Sequence, residues 1–183
     1  EETKLRVLSV AKHLHYRPNL LARSLVNRKS TLLGLVVPDI ANPYYADMCR
    51  GISDKAQQHK LSTLIANTDR QPQSEHSAVR TMVEYNVAGV VLIGMYKNVS
   101  DHLDTLKHYN IPYVVVDYHE PGMDFTVYVD DYSGSHEAVT YLVEKNHRVI
   151  GYISGFPEQG HPRDYRLQGY QQALKDAGLP LDP

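Results

Sequence analysis

The sequence predicts an α/β protein, a doubly wound parallel sheet preceded by a short helical arm. Three observations carry that expectation. Short apolar runs rich in Val and Ile alternate with amphipathic stretches at helical spacing. The apolar runs are nearly continuous, as expected for strands covered on both faces. Their starts fall at residues 32, 61, 90 and 113, a βα rhythm without a sequence repeat.

The elements follow in order. From Thr3 to Tyr16, Val7, Val10, Ala11 and Leu14 recur at helical spacing. Arg17-Pro18 ends that helix, because the residue before proline is pushed out of the α region. Asn19 can cap a short helix from Leu20 to about Val26, and Asn27–Ser30 reads as a polar, basic linker. Strands are expected at Leu32–Val37, Leu61–Ala66, Val90–Ile93, Tyr113–Val116, Thr126–Val129 and Val149–Ile153. Asn42-Pro43 opens a helix with proline at its first position, and Tyr45, Met48, Cys49, Ile52 and Ala56 form its inner stripe. Further helices are expected over Pro72–Tyr85, Val99–Tyr109, Tyr132–Lys145 and Tyr165–Ala177. The last βα unit has too few partners to bury both faces, which implies a fragment.

Composition narrows the class. The 42% hydrophobic and 22% charged fractions are those of an ordinary soluble protein. No apolar run approaches the roughly 20 residues that cross a bilayer, and the N-terminus has no signal-peptide core. The single cysteine, Cys49, excludes an internal disulfide and fits a reducing, cytoplasmic compartment. Net charge is −2, yet residues 1–30 carry seven basic and two acidic side chains, leaving twelve basic and nineteen acidic in the remainder. A basic arm on an acidic body suits a polyanion partner for the arm. On charge alone, a solvated helix fits equally well.

In an open parallel sheet, ligands bind beyond the carboxyl ends of the strands. The residues there are Asp39, Asn42, Tyr44 and Tyr45 after the first strand, and Asn67, Thr68 and Asp69 after the second. Gly94, Met95 and Tyr96 follow the third, Asp117 and Tyr118 the fourth, and Asp130 and Asp131 the fifth. Ser154 and Gly155 follow the sixth, with His161, Arg163 and Arg166 beyond. Carboxylates, amides, an arginine and aromatic faces suit a polyhydroxylated ligand, because carboxylate and guanidinium bond hydroxyls while flat rings cover a sugar's apolar face. Taken singly, Asn42 and Asp131 also read as helix caps, and Tyr45 as core.

Catalytic and metal signals are poor. There is no G-x-S-x-G, P-loop, G-x-G-x-x-G after a strand, or H-E-x-x-H. The ten histidines lack metal-ligand spacing and most read as surface residues. Cys49 reads as a buried thiol. No enzyme, cofactor or metal is expected.

Six segments in order carry a resemblance: YRPNLLARSL (16–25), LGLVVPDIANPYY (33–45), AGVVLI (88–93), IPYVVVD (111–117), VDDYSG (129–134) and RLQGY (166–170). Over essentially its whole length the chain resembles the LacI/GalR family of bacterial transcription repressors. The resemblance implies a periplasmic-binding-protein-like effector domain with an incomplete second lobe. It divides the chain into 1–30 (end of a helix-turn-helix and hinge helix), 31–130 (first lobe) and 131–183 (start of the second lobe).

The resemblance also implies roles. Residues 19–26 resemble a hinge helix that lies in the minor groove of an operator duplex. Leu25 would be the apolar wedge between base pairs, and Thr3, Tyr16, Asn19, Ala22, Arg23 and Arg28 would be DNA contacts, some to phosphates. Leu21 and Leu25, four residues apart, could instead pack on the body; with the family resemblance in hand, the wedge is preferred. Asn42, Tyr44, Tyr45, Asp117, Tyr118, Asp130, Asp131 and Arg166 would bind a small-molecule effector, a sugar by preference, whose binding alters operator affinity. The implied assembly is a homodimer or a tetramer in the cytoplasm. The alternative is a solute-binding module without DNA function.

Overall fold

In a computed structural model, residues 2–16, 30–95, 99–120, 122–153 and 164–181 are described. The elements are α1 (Glu2–His13), β1 (Leu32–Val37), α2 (Pro43–Gln58), β2 (Ser62–Asn67), α3 (Pro72–Glu84), β3 (Gly89–Ile93), α4 (Val99–His108), β4 (Tyr113–Val116), β5 (Thr126–Val127), α5 (Asp131–Glu144) and α6 (Tyr165–Asp176). They fall into two compact units, Glu1–Tyr128 and Val129–Pro183.

In the first unit the strands lie in the order β2-β1-β3-β4-β5, and every pair is parallel. The chain runs outward from β1 to β2, then crosses back to β3. The carboxyl ends of β1 and β3 therefore flank the point where strand order reverses. Successive side chains of a strand point to opposite faces, and the core divides accordingly. Val36, Val90, Leu92 and Val115 meet Val79 and Met82 of α3 and Leu103 and Leu106 of α4. Leu35, Val37, Val91 and Ile93 meet Tyr45 and Cys49 of α2. Helices thus cover both faces. Each fully buried aliphatic side chain contributes about 1.5–3 kcal/mol. Gly34 lets α3 approach β1, since a Cβ there would lie 2.6 Å from the Met82 sulfur.

Three expectations are corrected. The fifth strand stops at Val127, not Val129. The edge strand β2 is only partly covered, with Ile65 exposed, because an edge strand has a neighbouring strand on one side only. The run Val149–Ile153 forms no ladder: Val149 and Ile153 are 96% and 97% exposed. A strand exists through hydrogen bonds to a neighbour, and the described residues supply none there. Its alternate residues still behave as one covered face, with Ile150 against the helices and the Tyr170 hydroxyl donating to its carbonyl at 2.7 Å.

The second unit is built on α5 and α6, with Val139, Ala173 and Leu174 as its core. Gly169 permits their close approach: a Cβ there would run into the Tyr132 carbonyl oxygen. Asp164, buried, caps α6 by accepting from the Leu167 amide, and it accepts also from the Tyr152 hydroxyl, both at 3.0 Å.

One histidine departs from the surface expectation. His102 on α4 is buried beside buried Glu75 of α3, with Nε2 3.7 Å from Oε2. Among the described residues, neither ring nitrogen of His102, nor Glu75 Oε2, has a hydrogen-bond partner.

Candidate functional site

The first unit gathers polar side chains at the carboxyl edge of its sheet. Asn42 stands where β1 gives way to α2. Its side chain accepts from the Tyr44 amide at 3.0 Å, which satisfies one of the unpaired donors of a helix start. That fixes the first turn and projects Tyr44, 43% exposed, over the sheet edge. The Tyr44 hydroxyl donates to Asp117 Oδ1 at 2.9 Å, joining residues 73 positions apart. Asp117 directly follows β4 with φ +62°, a left-handed conformation uncommon for a residue with a side chain. Its amide donates to the Val127 carbonyl at 2.9 Å, so β5 pairing holds the turn.

Tyr45 lies beneath this pair. Its ring is 4% exposed and meets the Tyr44 ring edge-on, with centroids 5.2 Å apart. Gly94, at φ +58°, makes room for it: a Cβ there would come within 2.8 Å of the ring. The Arg70 guanidinium lies 5.8 Å from the ring centroid, within cation–π range. The turn bearing Arg70 has two successive left-handed residues, Asp69 and Arg70. It is tied down by Asn67, whose Oδ1 accepts from the Ile40 amide at 2.7 Å and whose Nδ2 donates to Asp69 Oδ1 at 2.6 Å.

Several expected roles change. Tyr45 presents no open face for a ligand; it supports the rim from the core, because the inner stripe of α2 places it there. Tyr118 is likewise buried, in the α3/α4 core, and its hydroxyl donates to Glu120 at 2.5 Å. Sequence reasoning stopped at Asp69 and missed Arg70. No spacing rule would have found it, since its place follows from the φ values of the turn.

In the second unit, Asp130 is the N-cap of α5, accepting from the Ser133 amide at 3.0 Å. The hydrogen bonds from Ser133 hold its carboxyl below the usual aspartate range. Arg166 Nε donates to Asp131 Oδ1 at 2.9 Å, linking the first turns of α6 and α5. The two aspartates that follow the fifth strand are therefore divided in role: Asp130 caps a helix, and Asp131 orients the guanidinium.

In the arm, α1 buries no residue; Thr3 and Tyr16 are exposed, as are Leu5, Val7, Leu8, Val10 and Leu14. Asn19, Ala22, Arg23, Leu25 and Arg28 lie outside the described residues, as do Tyr96, Ser154, Gly155, His161 and Arg163. Among the described residues no group of three His, Cys, Asp or Glu side chains could hold a metal ion, and no helix is long and apolar enough to cross a membrane.

Comparison with known proteins gives a consistent outcome. Residues 30–183 match the family described as periplasmic binding proteins and sugar binding domain of LacI family. Catabolite control protein A of Priestia megaterium is 32% identical over 98% of this chain and 54% of its own length. The HTH-type transcriptional repressor CytR of Escherichia coli K12 is 30% identical over 100% of this chain and 53% of its own. The chain thus spans about half the length of the curated relatives it matches. Among solved structures, a periplasmic binding protein/LacI transcriptional regulator from Alkaliphilus metalliredigens, complexed with D-xylulofuranose, superposes with TM-score 0.68 at 26% identity. It covers 84% of this chain and 55% of that one.

Proposed function

Because the chain belongs to the family of periplasmic binding proteins and LacI-family sugar-binding domains, we propose that it is part of a transcriptional regulator whose operator affinity is set by a sugar-type effector. One observation carries the effector half of this reading. Tyr44, after β1, and Asp117, after β4, meet at the carboxyl edge of the sheet, where ligands of open α/β sheets bind, and the point at which strand order reverses lies between β1 and β3 on that edge. A carboxylate oriented by a phenol is an acceptor for ligand hydroxyls. The D-xylulofuranose complexed with the Alkaliphilus protein supports the same ligand class.

The DNA half rests on the basic arm and on the repressor relatives. Arg23, Arg28 and the wedge Leu25 would grip the minor groove of an operator, with Thr3, Tyr16, Asn19 and Ala22 as further contacts. A homodimer or tetramer in the cytoplasm would present two arms to a two-fold operator. On this reading the protein is no enzyme; any sugar turnover by it would count against the proposal. The effector acts only through different affinities for the two arrangements of the protein.

The test is a titration of selected operator duplex with the full-length gene product, with and without pentoses and hexoses at constant salt. A shift in operator affinity with one sugar is expected. Binding of sugar with no affinity for any duplex would favour a solute-binding module instead. Indifference to every small molecule would remove the switch.

A further inference from the structure

We propose that Tyr44 is a positioning residue for Asp117: effector binding depends on its hydroxyl, acting through the carboxylate, rather than on its ring as a stacking face. The inference rests on the reading above that this rim takes a hydroxylated ligand. Two anchors set Tyr44. Its amide is held by the Asn42 cap at 3.0 Å, and its ring meets the Tyr45 edge at 69° and 5.2 Å. Tyr45 is itself lodged against Gly94 and covered by Arg70. The hydroxyl therefore reaches Asp117 from a braced support.

Asp117 is set from its own side by its left-handed backbone and by the hydrogen bond that its amide donates to the Val127 carbonyl. A tyrosine hydroxyl has a single proton, and here it goes to Asp117 Oδ1. An ionised carboxylate only accepts hydrogen bonds. With one oxygen oriented by Tyr44, the carboxylate is preset to receive donors such as the hydroxyls of a polyol. Presetting removes ordering cost that a ligand would otherwise bear. The ligand class that follows is a molecule offering hydroxyl donors to the first unit, with Tyr44 as a specificity determinant at one remove.

The experiment measures binding of D-ribose, D-xylulose and D-glucose to the full-length gene product by calorimetry, using whichever binds. Tyr44→Phe keeps the ring and removes the proton. It is expected to weaken binding about tenfold, the scale of a hydrogen bond to a charged group, with the urea unfolding midpoint unchanged. In an Asp117→Gly background, which removes the acceptor and tolerates the left-handed backbone, the same change is expected to cost less than about twofold more, because coupled residues are not additive. Wild-type affinity in Tyr44→Phe, or losses that simply multiply in the double variant, would overturn the positioning role while leaving the effector reading intact. Failure of the unaltered protein to bind any of the three sugars would overturn both, and is recognisable because it is seen before any variant is compared.

Discussion

Glu75 and His102 face each other in the core, 3.7 Å apart, with Glu75 Oε2 and both ring nitrogens lacking hydrogen bonds. Removing one partner of a buried pair leaves the other uncompensated, whereas replacing both by apolar groups removes the desolvation cost as well. His102→Ala, which leaves a cavity beside a buried carboxyl, is therefore expected to destabilise the first unit by about 2–5 kcal/mol, and the double replacement Glu75→Leu/His102→Leu to be neutral or stabilising. Urea unfolding of the three proteins distinguishes these outcomes; equal losses in single and double variants would count against the pair. Cys49 offers a simpler case. Burial pushes its thiol above the ordinary cysteine range, so a thiol reagent at neutral pH is expected to label it only after denaturation. Cys49 was legible because its neighbours on the helical stripe are apolar. His102 was not, since a polar residue on a buried face is explained only by what faces it across the gap.

At the scale of elements, the packing of α5 on α6 depends on the absence of a side chain at Gly169. Its need is space, not an unusual φ. Gly169→Ala would drive a methyl group into the Tyr132 carbonyl. The expected cost is at the upper end of the about 1–3 kcal/mol typical of overpacking, read as a lower unfolding midpoint of the second unit. The same helix pair predicts a pH response. The Asp176 carboxyl is held below its ordinary value of 3.8, first by the hydrogen bond from His136 at 2.9 Å, then by the one from Gln172. A folded-state value below the unfolded one contributes stability above the ordinary aspartate range, lost as pH falls through the lowered folded value. Asp130, lowered by its cap, acts in the same direction. Stability of the second unit is expected to decline on acidification below about pH 3.8, with a shallower decline in Asp176→Asn. A parallel acid profile in that variant would exclude Asp176 as a contributor. Helix starts such as Asn42-Pro43 were readable because capping is local chemistry. The fit of Gly169 was visible only as part of a family-like RLQGY run, without its physical reason.

At the scale of the whole molecule, the arm and the effector units must act together if the chain serves a regulator. Charge replacement in the arm tests this. Arg23→Ala and Arg28→Ala in the full-length gene product are expected to weaken operator and non-operator DNA alike. Each phosphate interaction removed should lower the slope of log affinity against log salt by about one. Leu25→Ala is expected instead to weaken the operator preferentially, since a wedge is offset by a kink that some base steps accept more easily. Unchanged affinity and slope in all three variants would leave the arm without a DNA role.

By itself the sequence determined the kinds of elements, their order and the parallel sheet of the first unit, because periodicity, caps and β-branched runs act within a few residues of one another. It also placed the candidate rim, since strand ends are known once strands are. Only the tertiary structure decided which rim side chains remain there. Adjacent Tyr44 and Tyr45 differ between 43% and 4% exposure, Tyr118 turns into the core, and Arg70 joins the site through a left-handed turn. It also decided that Val149–Ile153 forms no ladder. These outcomes depend on which distant backbone lies alongside, and interactions between residues far apart in the chain leave no local periodic trace.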